Sequence, residues 1–228
     1  EPHATAAYNL GVMLENGDGI VQDKAEAAKY YRKAADHPTN LVPNSAYNLG
    51  LMIYQGDGIV QDKADAALYF RKAADHPTNP VPDAAYNLGL MLRNGDGIAQ
   101  DQAEAALYFR KAADHPTEPV PNAAYNLGLM LENGDGIKQN KEAAAHYYRK
   151  AADHPTEPHA KAAYNLGLML DYGDGIEQDL AEAAFYYRKA ADHVTEPLPA
   201  AAYNLGVMLS NGDGIEQNKA EAAFYFRK

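Results

Sequence analysis

Apolar residues recur at helical spacing along the whole chain. Ala7, Leu10, Gly11 and Leu14 stand at i, i+3, i+4 and i+7, on one face of a helix. Asn16-Gly17 ends that helix, because glycine takes the left-handed conformation that closes a helical turn. Asp18-Gly19 continues the turn, and Ile20 is expected to plug back into the core. Asp23 then caps a second helix, with Glu26 three residues on completing a capping-box-like pair. Ala27, Tyr30, Tyr31 and Ala34 repeat the apolar spacing, and His37-Pro38 closes the unit.

The unit recurs without interruption. Ala-Tyr-Asn-Leu-Gly returns with its tyrosine at Tyr8, Tyr47, Tyr86, Tyr125, Tyr164 and Tyr203, each step being 39 residues. Gly-Asp-Gly-Ile returns in phase at Gly17, Gly56, Gly95, Gly134, Gly173 and Gly212, and Arg-Lys at Arg32, Arg71, Arg110, Arg149, Arg188 and Arg227. A fixed period of this length marks a solenoid or a propeller, and two helices per period select the solenoid. One helix pair cannot bury both of its faces, so each must stack on the next. The expected fold is all-α: a solenoid of six 39-residue helix-turn-helix repeats in one array, at about 1–39, 40–78, 79–117, 118–156, 157–195 and 196–228. The connections, such as Pro77-Thr78-Asn79-Pro80-Val81-Pro82, are proline-rich and hence stiff and extended.

Asn9-Leu10-Gly11, Gly17-Asp18-Gly19-Ile20, Asp23, Ala27, Tyr30-Tyr31 and Ala34-Ala35, repeated in all six units, resemble the Sel-one-like repeat (SLR) family, relatives of the tetratricopeptide repeats. The resemblance implies right-handed α/α superhelices that serve as adaptors in protein complexes. It is specific for fold and unspecific for function. The chain departs from the family in carrying Tyr30 and its equivalents where Trp is common, and in a longer His-Pro-Thr-Glu-Pro type of inter-repeat turn.

Composition narrows the partner. The net charge is −11, from 31 acids and 20 bases, which argues against nucleic acid and against anionic membrane surfaces. No apolar run is long enough for a membrane span, no signal peptide is visible, and the compartment stays open. There is no cysteine, so thiolate metal sites and cysteine nucleophiles are excluded. The remaining partners are a protein or peptide, or further copies of the chain stacked head to tail. The array is cut inside a repeat at both ends, at Glu1 and Lys228, and its outermost units copy the internal ones. A head-to-tail contact that does not close makes a fibre, which is the second reading of function.

Candidate binding residues are of two kinds. Asn9, Asn48, Asn87, Asn126, Asn165 and Asn204 form a column on the first helix of each pair; related helical-hairpin repeats hold peptide backbone with such asparagines along their concave groove. The alternative is that each bonds its own or a neighbouring repeat's main chain. At the end of the same helix stand Glu15, Tyr54, Arg93, Glu132, Asp171 and Ser210, and the variation suggests contact with solvent or a partner. Two further variable columns, Lys29, Leu68, Leu107, His146, Phe185 and Phe224, and Val21, Val60, Ala99, Lys138, Glu177 and Glu216, carry the same expectation.

No catalytic or metal site is expected, and no cofactor. Asn-Gly-Asp-Gly-Ile resembles a calcium loop, but the first and twelfth loop positions, Leu14 and Ala25, are apolar. Asp36-His37 recurs once per unit as a ladder rather than a cluster, and a histidine there suits a helix C-terminus by capping carbonyls. The only serines, Ser45 and Ser210, do not accompany it as nucleophiles, which leaves a non-enzymatic reading. Thr39, Thr78, Thr117, Thr156 and Thr195 lie in the inter-repeat turns, four of them after proline; they are acceptors for O-linked sugar if the protein is extracellular.

Overall fold

The computed structural model describes residues 3–228; the Glu1-Pro2 opening of the first unit lies outside the described residues. Two compact units, Glu1–Pro119 and Val120–Lys228, make up the chain. Among the described residues there are helices and no strands, arranged as six helix-turn-helix pairs: an all-α solenoid chain.

The first unit holds α1 (Ala4–Asn16) with α2 (Lys24–Ala35), α3 (Pro43–Gln55) with α4 (Lys63–Ala74), and α5 (Pro82–Asn94) with α6 (Gln102–Ala113). The second holds α7 (Pro121–Asn133) with α8 (Lys141–Ala152), α9 (Ala160–Tyr172) with α10 (Leu180–Ala191), and α11 (Pro199–Asn211) with α12 (Lys219–Tyr225). Proline sits at the first position of α3, α5, α7 and α11, where its missing N–H costs nothing. Every first helix ends on a left-handed glycine, as at Gly17 (φ 72°), whose N–H returns to Met13 O.

The second helices start on a capping side chain, as the sequence suggests. Asp23 accepts Glu26 N at 2.9 Å and Asp101 accepts Glu104 N at 2.9 Å. The capping box is only half formed, because the N–H of Asp23 already donates to Leu14 O at 2.9 Å and that of Asp101 to Leu92 O at 2.9 Å. Glu26 takes Lys29 Nζ at 2.7 Å, and Glu104 takes Arg71 from the preceding repeat.

Stacking decides what is buried. In the first unit Met52 and Met91 are 2% and 3% exposed, while Met13, with no described pair before it, is 38% exposed. Small residues set the approach: a Cβ on Gly89 would meet Phe109 Cδ1 and Cε1 at 2.8 Å, so the bare glycine lets this ring sit against α5. The ring itself is fully buried. Ile20 departs from expectation. It is 38% exposed, and its equivalents Ile59 and Ile98 are only half-buried.

Successive pairs are tied by a polar ladder, twice in each unit. In the first unit Asp36, the C-cap of α2, accepts Tyr69 OH at 3.1 Å and also takes Lys72; Asp75 accepts Tyr108 OH at 2.8 Å and Lys111. In the second, Asp153 accepts Tyr186 OH at 2.8 Å and Lys189 Nζ at 2.7 Å. Burial first, and then the facing aspartate, push the Tyr108 hydroxyl up to about 12. It therefore stays a proton donor across the ordinary pH range.

Candidate functional site

The asparagine column divides by position. Asn9 is exposed, Asn48, Asn87, Asn165 and Asn204 are half-buried, and Asn126 is buried at 8% exposure. Asn126 Nδ2 donates to Asn122 O of its own helix at 2.9 Å. Asn126 is thus engaged with the main chain of its own helix.

The variable residues at the end of the first helix also have partners inside the chain. Tyr31 OH donates to Glu15 Oε2 at 2.5 Å, Tyr148 OH to Glu132 Oε2, and Tyr187 OH to Asp171 Oδ2 at 3.0 Å. Burial and these carboxylates hold the hydroxyls of all three tyrosines well above the usual phenol range. Where the second helix carries phenylalanine instead, the acid is gone. Tyr54 packs near the Phe70 ring, with centroids 6.4 Å apart, Arg93 lies 5.8 Å from the Phe109 ring, and Ser210 accompanies Phe226.

This correlation was open to sequence reasoning. Tyr31, Tyr148 and Tyr187 go with Glu15, Glu132 and Asp171; Phe70, Phe109 and Phe226 go with Tyr54, Arg93 and Ser210. A column that varies because each member suits its own neighbour looks, read alone, like a free surface. The other two columns are exposed as expected: Leu68 at 62%, Leu107 at 60%, Phe185 at 56%, and Val21 and Val60 at 89% each.

One opening on the first-helix face stands out in the first unit. A cleft of about 280 Å³ lies between the second and third pairs, lined by Leu51, Tyr54, Phe70, Asn87 and Leu90 among others. Its cause is local. Phe70 lacks the hydroxyl that would call for an acid, and Tyr54 turns to donate to Asp96 Oδ2 at 2.7 Å. Lys63 Nζ also bonds Asp96 Oδ1, at 2.7 Å. Both contacts pull Asp96 down from the ordinary carboxylate range, so the carboxylate stays charged and compensated. The cleft is lined by apolar Leu51, Phe70, Leu90 and Met91 together with amides, the Tyr54 phenol and the ion-paired Asp96.

The turn and the histidine ladder have structural duties. Asp57 of the Gly-Asp-Gly turn takes Lys24 Nζ at 2.6 Å, and Asp174 takes Lys141 Nζ at 2.6 Å. Among the described residues no group of three or more His, Cys, Asp or Glu is placed to hold a metal ion. The histidines do not cap helix carbonyls. His37 Nδ1 accepts Asn40 N, and His76, His115, His154 and His193 accept the N–H three residues on, each at 3.1 Å. The ring follows the helix rather than ending it, so it meets the donors of the turn. Thr39, Thr78, Thr117, Thr156 and Thr195 are exposed on these turns.

His159 is the one strongly perturbed base. It caps α9 by accepting Ala162 N at 3.1 Å and stacks on Tyr125 with centroids 4.3 Å apart. Burial lowers its pKa to about 4, against 6.5 for the free side chain. A depressed histidine pKa means that the folded state binds the proton less well than the unfolded state. Stability from this site is therefore complete above about pH 6.5 and lost as pH falls toward 4. Replacing His159 with valine, which stands at the equivalent Val81, should remove a loss of about 1–2 kcal/mol at pH 5 and change little at pH 7.5. Urea unfolding at the two pH values reads the difference; equal pH slopes for native and variant would refute it.

The Sel1 repeat family model matches residues 4–38, 43–77, 82–116, 121–155, 160–193 and 199–228. The chain belongs to the Sel1 repeat family. Repeats of this family commonly serve as protein-interaction scaffolds. Among solved structures, the Sel1 repeat chain is similar to a protective antigen of uropathogenic Escherichia coli displaying an SLR fold, at 28% identity and TM-score 0.85. That match covers 98% of this chain and 45% of the antigen, so the chain spans less than half of the antigen's length. It is also similar to a Sel1 repeat protein from Oxalobacter formigenes, at 30% identity and TM-score 0.71, covering 99% of this chain and 88% of that one. No curated protein sequence matches the Sel1 repeat chain. Among the described residues no helix is long and apolar enough to cross a membrane.

Proposed function

We propose that all six repeats serve one non-catalytic scaffold, and that its first-helix face takes a protein or peptide partner. The observation that carries this reading is the cleft beside Phe70. Both Tyr54 and Asn87 line it, beside the Phe70 ring. Arg93, on the next turn of the face, and the half-buried Asn48 extend the same surface within the first unit. In the second unit Glu132, Asp171, Asn165 and Asn204 stand on the corresponding face. An apolar side chain entering the cleft exchanges water for Leu51, Leu90 and the Phe70 ring, while the amides around it fix the direction of the entering chain.

The test is selection of short peptides from a random display library on the full chain. Binders with micromolar affinity are expected, and Leu90→Asp, which places a charge in the cleft at a partly exposed position, should weaken them by about tenfold or more. Selection of no peptide, or peptides indifferent to Leu90→Asp, would remove the reading.

A further inference from the structure

A second surface lies away from the first-helix face, in the groove between α6 and the connection that leads into α5. It encloses about 540 Å³. Leu107, 60% exposed, Val81 and Pro80 give it an apolar lining. Such a groove says little by itself. The arginine at its edge says more.

In four repeats the arginine of Arg-Lys is paired with an acid of the following repeat: Arg32 with Asp65, Arg71 with Glu104, Arg149 with Glu182, and Arg188 with Glu221. Arg110 lines the groove, is exposed, and has no ion pair or side-chain hydrogen bond among the described residues. The fourth repeat carries Ala143 where the others supply the acid. The other charges in the groove are spent. Lys111 is paired with Asp75, which also accepts Tyr108 OH at 2.8 Å, and Asp114 is engaged as well. His76 and His115 each use Nδ1 to accept a backbone N–H, which in the neutral ring leaves Nε2 as an N–H donor. The groove thus combines an apolar floor, one uncompensated guanidinium and imidazole donors, with no free carboxylate to oppose an anion.

We infer that this groove binds a segment of a partner protein that presents a carboxylate beside a bulky aliphatic or aromatic side chain. The carboxylate pairs with Arg110, as Asp65 pairs with Arg32 and Glu104 with Arg71, and the apolar side chain lies against Leu107. A planar guanidinium suits a carboxylate better than any other common anion of a protein surface. The net charge of −11 sharpens the inference, because at long range the protein repels acidic ligands. Binding of such a peptide therefore reports a local site and not a general attraction.

The test is fluorescence anisotropy of the full chain with a labelled peptide containing Leu-Glu-Leu, compared with the same peptide carrying Gln, Ser for Leu, or Lys for Glu. The Leu-Glu-Leu peptide should bind, and the Gln and Ser peptides should bind about tenfold more weakly. Arg110→Glu and Leu107→Ser, both at exposed positions, should each weaken it about tenfold with the helical circular-dichroism signal unchanged. Leu90→Asp in the separate cleft should leave it as it is. No binding at millimolar protein, indifference to Arg110→Glu, tighter binding of the Lys peptide, or loss of binding in Leu90→Asp would each overturn the assignment. A negative peptide selection at the Phe70 cleft leaves this result untouched, so the two surfaces stand or fall separately.

Discussion

Gly58→Val is expected to destabilise the protein by about 3–4 kcal/mol, the sum of a left-handed β-branched residue and an overpacked contact. Gly58 has φ 75°. A Cβ there would lie 2.5 Å from Lys24 Cβ, 2.9 Å from Lys24 C and 3.1 Å from Ala25 N. The last two are backbone atoms at the start of α2, held by the Asp23 cap, so the obstacle cannot swing aside. The second glycine of Gly-Asp-Gly therefore lets one repeat's turn seat on the preceding repeat's second helix. Asp57→Ala, which deletes the neighbouring Lys24 contact between half-exposed groups, should cost less than about 1 kcal/mol. Urea unfolding of the two variants separates steric seating from charge. A Gly58→Val loss no larger than that of Asp57→Ala would refute the steric account.

Tyr148→Phe is expected to cost about 2 kcal/mol in the native background, because it strips a charged acceptor, Glu132, of its phenol donor. Tyr148 is fully buried and Glu132 half-buried, so water replaces the lost bond only in part. The same substitution in a Glu132→Ser background should be nearly neutral, since the chain already uses the serine–phenylalanine combination at Ser210 and Phe226. The coupling between the two positions is then about 1–2 kcal/mol in a double-mutant cycle. Equal costs in both backgrounds would show that the tyrosine–acid correlation across repeats has no energetic basis.

These two cases show why the variable column at the end of the first helix was hard to read. Along the sequence, Glu15, Tyr54, Arg93, Glu132, Asp171 and Ser210 share no chemistry, and a column without a common chemistry suggests an outward face. In space Glu15, Glu132 and Asp171 each hold the tyrosine sixteen positions on, and Tyr54 and Arg93 lie near the phenylalanine there. The signal lay in pairs of columns rather than in one. The histidines were misjudged for a different reason. The end of α2 at Ala35 places His37 past the helix, where the nearest partner is an amide of the turn and not a carbonyl of the last helical turn.

By itself the sequence determined the repeat, its period, both helices of each pair and their ends. These are local properties: apolar spacing sets the helices, an aspartate or asparagine side chain starts each second one, and a left-handed glycine stops each first one. Only the tertiary structure decided which residues of one repeat meet those of the next within each unit. That covers Asp36 with Tyr69 and Lys72, and Gly58 on the backbone of Lys24. Such contacts depend on the angle and offset between stacked pairs. Close packing of side chains across about 10 Å between helix axes fixes that angle, and nothing within one period specifies it.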